Sequence, residues 1–153
     1  MSLSLPIQRL AHAAGLPLPR YESAGAAGLD LVAANLAPIL LESLGRALVP
    51  TGLVIQLPQG YEAQIRPRSG LALNHGVTVL NAPGTIDSDY RGEIRVLLVN
   101  CGRDHFVVNR GMRIAQMVIA PVTLVTLLEV SEVEKTLRAA SGFGSTGLTG
   151  EQA

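Results

Sequence analysis

Short apolar runs, separated by Gly, Pro, Asn and Asp, set the pattern of this chain. Leu29–Ala34, Ile39–Leu41, Leu53–Leu57, Tyr61–Ile65, Val77–Leu80, Ile94–Val99, Phe106–Val108, Ile114–Ile119 and Leu124–Val130 each read as a strand. Alternation is only partly clean in Leu53-Val54-Ile55-Gln56-Leu57, so several strands are expected to be buried on both faces. No window holds apolar residues at helical spacing for three turns, and the best helical segment is Ser69–Asn74, with Ser69 as its cap. Many short strands with closely spaced turn signals predict an all-β sandwich, barrel or jelly roll.

Two segments depart from this pattern. Leu5–Pro19 carries three prolines and reads as an arm along the surface. Residues 139–153 are rich in Gly, Ser and Thr, which predicts a mobile tail following a single β domain over residues 1–138.

Composition narrows the picture. At 153 residues the chain suits one domain, and with 48% apolar but 3% aromatic residues its core must be aliphatic. A formal net charge of zero gives no overall attraction to nucleic acid, and no run is long and unbroken enough to span a bilayer. Cys101 is the sole cysteine, which excludes an intramolecular disulfide and fits a reducing cytoplasm. The N-terminus lacks the basic and apolar regions of a signal peptide. His12, His75 and His105 are scattered and read as surface or loop residues rather than metal ligands.

Five segments combine chemistry-bearing residues. In Asn81–Ile94 a Pro83-Gly84 turn is followed at once by Asp87, Asp89, Tyr90 and Arg91. A hairpin there would expose backbone groups able to read a flat base, and a carboxylate beside it could act as general base on a water. By itself, Asp-Ser-Asp is more often an acidic, solvated turn. Arg66–Ala72 offers two guanidinium groups, a hydroxyl and backbone amides, which suits a polyphosphate and equally suits a charged surface loop. In Gly111–Met117, Arg113 and Gln116 are three apart, so a regular strand sends them to opposite faces. Asp30 lies inside an apolar run and must be paired, either by an arginine or within a metal shell. In the tail, Ser141–Gly147 is no Walker loop, because no Gly-Lys-Ser/Thr follows its glycines. Its Phe143 is free to stack on a ligand, or is incidental to a disordered end.

Taken together and in order, Ala27–Ala34, Arg66–Ala72, Asn81–Ile94, Gly111–Met117 and Arg138–Gly147 resemble the five motifs of the trimeric dUTPase family, over about Ile7 to Gly147. The resemblance implies a jelly-roll-like β fold and a homotrimer with shared active sites. It also implies hydrolysis of dUTP to dUMP and pyrophosphate, which limits uracil in DNA and supplies dUMP for dTMP synthesis. Asp87 matches the catalytic carboxylate that activates the attacking water. Asn81 and the backbone of Thr85, Ile86 and Asp87 match the uracil-reading hairpin, and Tyr90 the residue beneath the deoxyribose. Arg68, Ser69 and Gly70, with Gln116 beside them, match the phosphate-binding turn, and Arg95 a further substrate contact. Arg138, Phe143, Gly144, Ser145 and Thr146 look like the part of the tail that closes over the base and phosphates. Mg2+ is the implied cofactor, held by substrate phosphates and waters with no direct protein ligand, and Asp30 and Gln116 are outer-shell candidates.

One departure stands out. The fifth motif is usually richer in glycine after its arginine, whereas Arg138 is followed here by Ala139, Ala140 and Ser141. If a glycine there supplied a positive φ, Ala or Ser would strain the bend. Two rivals share the scaffold. A dCTP deaminase is disfavoured by Arg68-Ser69-Gly70 together with Asp87 and Tyr90, and a non-catalytic nucleotide-binding protein has no need of Asp87.

Overall fold

The computed structural model describes residues 3–142. In chain order it contains β1 (Ile7–Arg9), a 3-10 turn (Ala11–Ala13), β2 (Leu29–Val32), β3 (Ile39–Leu41), β4 (Arg46–Pro50), β5 (Leu53–Ile55) and β6 (Tyr61–Arg66). These are followed by α1 (Ser69–His75), β7 (Val77–Val79), β8 (Gly84–Ile86), β9 (Arg95–Asn100), β10 (Phe106–Val108) and β11 (Arg113–Pro121). The strands pair antiparallel as β1-β5, β10-β3, β2-β11-β6-β8 and β4-β9-β7. The arrangement is the all-β, jelly-roll-like fold that the punctuation predicts.

The core is aliphatic, as the composition requires. Leu31, Leu41, Val49, Ile55, Ile65, Val96, Leu98, Ile114 and Met117 belong to one buried cluster that joins the sheets. Asn100 lies at its edge, fully buried, and its amide donates to the carbonyls of Leu41 and Asp104. These bonds meet the requirement that a buried polar group be partnered.

Several boundaries differ from the sequence reading. The Leu5–Pro19 arm is not merely laid on the surface. Ile7–Arg9 adds a strand to the edge of β5, and Ala13 is buried against Gly52. Arg46–Pro50 is a strand hidden by its charged start and terminal proline, with Val49 buried and Arg46, Leu48 outside. Leu124–Val130 forms no strand. It has apolar residues but no neighbouring strand among the described residues to complete a ladder, and Leu124, Val125, Leu127 and Leu128 are exposed. Ser69 does not cap α1. Arg68 occupies the cap position and Ser69 is the first helical residue, while Gly76 closes the helix at φ 68°, the left-handed conformation that favours glycine.

Candidate active site

The four strands of the β2-β11-β6-β8 sheet each carry a chemistry-bearing segment. Asp30 is on β2, Gln116 on β11, Arg66 at the end of β6 leading to Arg68, and Thr85–Ile86 on β8 leading to Asp87. β8 is the edge strand, paired with β6 through Gly84–Ile65, Thr85–Gln64 and Ile86–Ala63. Its opposite side presents backbone N–H and C=O groups with no strand partner among the described residues. Asn81 lies at the head of the segment with its amide packed beside Gly84.

Beyond β8 the chain turns sharply. The Tyr90 N–H donates to the Asp87 carbonyl (3.2 Å), and Arg91 donates to the carbonyls of Ser88 and Tyr90 (both 2.8 Å). The Tyr90 hydroxyl donates to the Glu93 carbonyl at 3.0 Å, which folds the ring back over Gly92. Only glycine permits this, because a Cβ at position 92 would lie 2.5 Å from Tyr90 Cζ. The result is a cavity of about 560 Å³ lined by Thr85, Ile86, Asp87, Tyr90 and Arg95, together with Leu48, Gly92 and Glu93. Asp87 also borders a groove of about 820 Å³ on its other side, with Glu62, Asp89 and Arg91. An exposed carboxylate between two concavities can hold a water against a bound electrophile.

A second cluster gathers at the far end of the same sheet. The Asp30 carboxylate lies 3.1 Å from Arg113 Nη1 and 3.4 Å from Arg68 Nε. This favours the arginine-anchoring reading of Asp30 and leaves two guanidinium groups fixed side by side. Gln116 Nε2 donates to the Pro67 carbonyl at 3.0 Å, which ties β11 to the turn that precedes Ser69 and Gly70. The expectation that Arg113 and Gln116 face opposite ways is overturned. A register irregularity between Arg113 and Ala115 sets them opposite Val32 and Asp30, two apart on β2 and hence on one face. Ser69 and Gly70 are exposed in the first turn of α1, where backbone N–H groups have no intrahelical acceptor.

The two clusters are not brought together within one chain. Neither cavity that Asp87 borders includes Arg68, Ser69, Gly70 or Gln116. Ile86 and Gln116 pair with Ala63 and Arg66, three positions apart on β6, or about 10 Å along the strand. Arg138 stands apart from both, exposed, its Nε donating to the Ser141 carbonyl at 3.1 Å. Phe143, Gly144, Ser145 and Thr146 lie outside the described residues.

Three residues that the sequence reading gave no role now stand in the site. Leu48 and Gly92 line the cavity, and Glu93 supports it. Burial pushes the Glu93 carboxyl up, but hydrogen bonds from His12, the Gly52 N–H and Arg95 outweigh it and hold the group below its usual 4.5. His12 is therefore not a free surface residue: its Nε2 sits 2.8 Å from Glu93 Oε1. Among the described residues no three His, Cys, Asp or Glu side chains converge on a point. A divalent cation in this site would draw its oxygens from a ligand and water, an arrangement that magnesium favours. Gln116 Oε1 packs against Gly28, where a Cβ would collide with it, so only a glycine there leaves this oxygen its place.

Comparison with known proteins gives consistent results. A family model described as dUTPase matches residues 14–147. The chain is 58% identical over 150 residues to the deoxyuridine 5'-triphosphate nucleotidohydrolase of Rhizobium johnstonii, covering 97% of this chain and 96% of that protein. It is 63% identical over 148 residues to the protein of the same name from Methylocella silvestris, covering 95% and 92%. Among solved structures, Staphylococcus bacteriophage 80alpha dUTPase with dUPNHPP superposes with a TM-score of 0.86 at 23% identity, over 96% of this chain and 100% of that one. A mutant dUTPase of phage phi11 of S. aureus, described for its coordination of a structural Mg(II) ion, gives a TM-score of 0.77 at 21% identity, over 87% and 100%.

Proposed function

Because the chain belongs to the dUTPase family, we propose that it hydrolyses dUTP to dUMP and pyrophosphate at the cavity beside β8, with Asp87 as general base. The observation that carries this reading is the adjacency of a strand edge unpaired among the described residues, Asp87 and the folded-back Tyr90 on one cavity wall. The β8 edge and Asn81 pair with the uracil, and Tyr90 lies beneath the deoxyribose, where a 2′-hydroxyl would collide. A base offering cytosine's reversed donors and acceptors would leave buried groups unpaired, a large penalty. Asp87 takes a proton from water as the water oxygen bonds to the α-phosphorus. The bond from that phosphorus to the bridging oxygen breaks, and pyrophosphate departs with the electron pair.

Charge on the triphosphate repels the nucleophile, so it must be neutralised in place. Arg68, the hydroxyl of Ser69, the backbone of Ser69 and Gly70, and Gln116 supply donors, with Asp30 holding Arg68 in position. Mg2+ would supply Lewis-acid charge stabilisation to the phosphates, with Gln116 the residue nearest to hold one of its waters and Asp30 acting through the two arginines that it anchors. Arg138, Phe143, Gly144, Ser145 and Thr146 close over the base and phosphates and exclude water.

Separation of the Asp87 cavity from the phosphate cluster within one chain supports a site shared between copies, as a homotrimer provides. So does the apolar surface of Val122, Leu124, Val125, Leu127, Leu128, Val130, Val133 and Leu137, all exposed in the single chain. No helix of the described residues is long and apolar enough to cross a membrane, and the single exposed Cys101 suits a cytoplasmic setting.

The test is pyrophosphate release from dUTP, dCTP, dTTP and UTP with magnesium, using wild type and Asp87→Asn. Release from dUTP alone, lost in Asp87→Asn, is expected. No release from any of the four would leave a nucleotide-binding protein on the same scaffold.

A further inference from the structure

The turn that carries Asp87 and Tyr90 is exposed along most of its length, and it ends at a largely buried carboxylate. The Glu93 side chain is 9% exposed, and each of its oxygens is engaged. Oε1 accepts from the Gly52 N–H at 2.8 Å and lies 2.8 Å from His12 Nε2; Oε2 accepts from Arg95 Nε at 3.1 Å. A carboxylate held ionised can only accept, so the hydrogen of this contact is carried by His12 Nε2. The backbone carbonyl of Glu93 accepts from the Tyr90 hydroxyl. Glu93 thus joins the cavity wall, through Tyr90 and Arg95, to a loop at Gly52 and to an N-terminal residue 81 positions away.

His12 is itself held. Its carbonyl accepts from Arg110 Nη1 at 2.7 Å, and Arg110 Nη2 also binds the Ala14 carbonyl. Leu10 N donates to the Gly52 carbonyl at 2.8 Å, and the strand Ile7–Arg9 lies paired on β5. The N-terminal segment is therefore bound to the loop at Gly52 on one side and to Glu93 on the other.

We propose that Glu93 is a positioning residue for the reaction and that the N-terminal segment, through His12, holds it in place. Glu93 fixes the height of the Tyr90 ring and the direction of Arg95 at the cavity, and thereby the discrimination between deoxyribose and ribose. This rests on the assignment of Asp87 and Tyr90 to the site. Three donors meet the two oxygens of Glu93, so an amide in its place would turn an NH2 group toward at least one of them. The wall would then move without any loss of side-chain volume.

The experiment uses full-length protein carrying Glu93→Gln, His12→Ala, His12→Gln or Asp87→Asn. Steady-state hydrolysis of dUTP and UTP and thermal melting are measured for each. Glu93→Gln and His12→Ala are expected to narrow the dUTP-over-UTP preference in kcat/KM by on the order of tenfold, mainly through KM for dUTP. His12→Gln, which keeps an N–H donor, is expected to restore most of it. A folded Glu93→Gln with a lowered melting temperature and an unchanged preference would reduce Glu93 to a structural anchor and overturn the proposal. Should Glu93→Gln not fold, the His12 pair decides, and full discrimination in His12→Ala overturns it equally. Asp87→Asn separates the two readings. Retained hydrolysis there removes the site assignment itself, whereas a dead Asp87→Asn beside an unaltered Glu93→Gln removes only the positioning role.

Discussion

Arg113 and Gln116 project from the same face of β11, although three residues separate them and a regular strand would oppose them. The irregularity between Arg113 and Ala115 absorbs one residue, and consecutive buried side chains, Ile114 and Ala115, mark it. Arg113 thereby reaches Asp30, Gln116 reaches Pro67, and Asp30 holds Arg68 as well. Asp30→Asn should loosen both arginines at once. We expect a loss of about 1–2 kcal/mol, discounted for the half-exposed Arg113, together with a raised KM for dUTP. Urea unfolding and steady-state kinetics on the one variant check both effects, and an unchanged KM would detach this cluster from phosphate binding.

Gly92→Ala asks whether the Tyr90 ring must lie where it does. The added methyl occupies the space of the phenol ring, so the ring must swing out and its bond to the Glu93 carbonyl must break. Position 92 is in an exposed turn, and the core does not feel the change. Activity is expected to fall by about one to two orders of magnitude in kcat/KM, for a stability loss of about 1 kcal/mol or less. Equal activity in the variant would mean that the ring takes no part in catalysis.

Much of this arrangement was legible in the sequence, and the parts that were not have physical reasons. Strands such as Ile39–Leu41 and Phe106–Val108 match their apolar runs, because polar or turn-forming neighbours bound them, Pro38 and Glu42 around the first and His105 and Asn109 around the second. The short helix at Ser69 was legible too, though Arg68 rather than Ser69 precedes it as the cap. Leu124–Val130 misled because an apolar run reports burial, and the described residues of its own chain offer it nothing to be buried against. The bulge in β11 misled because parity along a strand holds only while the register does. Glu93 was in plain view beside Gly92, but its partners His12 and Gly52 are distant in sequence and no local pattern announces them.

If the apolar face of residues 122–137 packs against another copy, a charge at its centre should open the assembly. Leu127 is 91% exposed in the single chain, so Leu127→Asp costs the isolated fold little. Within an interface the same carboxylate would be buried unpaired, at several kcal/mol. Sedimentation velocity is expected to give a trimer for wild type and smaller species for Leu127→Asp, with activity lost in parallel. A variant that keeps the wild-type mass sinks this use of the segment.

Ala139 adopts φ 45°, in the left-handed region, at the position where the family's fifth motif is usually richer in glycine. Its N–H donates to the Thr136 carbonyl at 3.1 Å, so the bend is bonded as well as strained. An alanine pays about 1 kcal/mol for that conformation relative to glycine. Ala139→Gly is expected to favour the bend and to lower KM for dUTP by roughly two- to fivefold, while Ala139→Val raises it. Matching KM values for all three proteins would mean that this bend does not limit closure of the tail.

The Glu93 carboxyl gives the enzyme a definite response to acid. Burial alone would raise it, but the bonds from His12, Gly52 and Arg95 prevail and hold it below 4.5 in the folded protein. A group whose folded value is depressed contributes stability that is fully present above its unfolded value and is lost as pH falls through the folded one. Glu93→Gln cannot titrate there. The stability difference between wild type and Glu93→Gln should therefore be constant near neutral pH, begin to shrink below about pH 4.5, and close further down. Urea midpoints for both proteins across that range measure it directly. A difference that widens below about pH 4.5, where the carboxyl itself takes up protons, would show that the carboxylate is not the form the fold prefers, and its bonds to His12, Gly52 and Arg95 would lose their stabilising role.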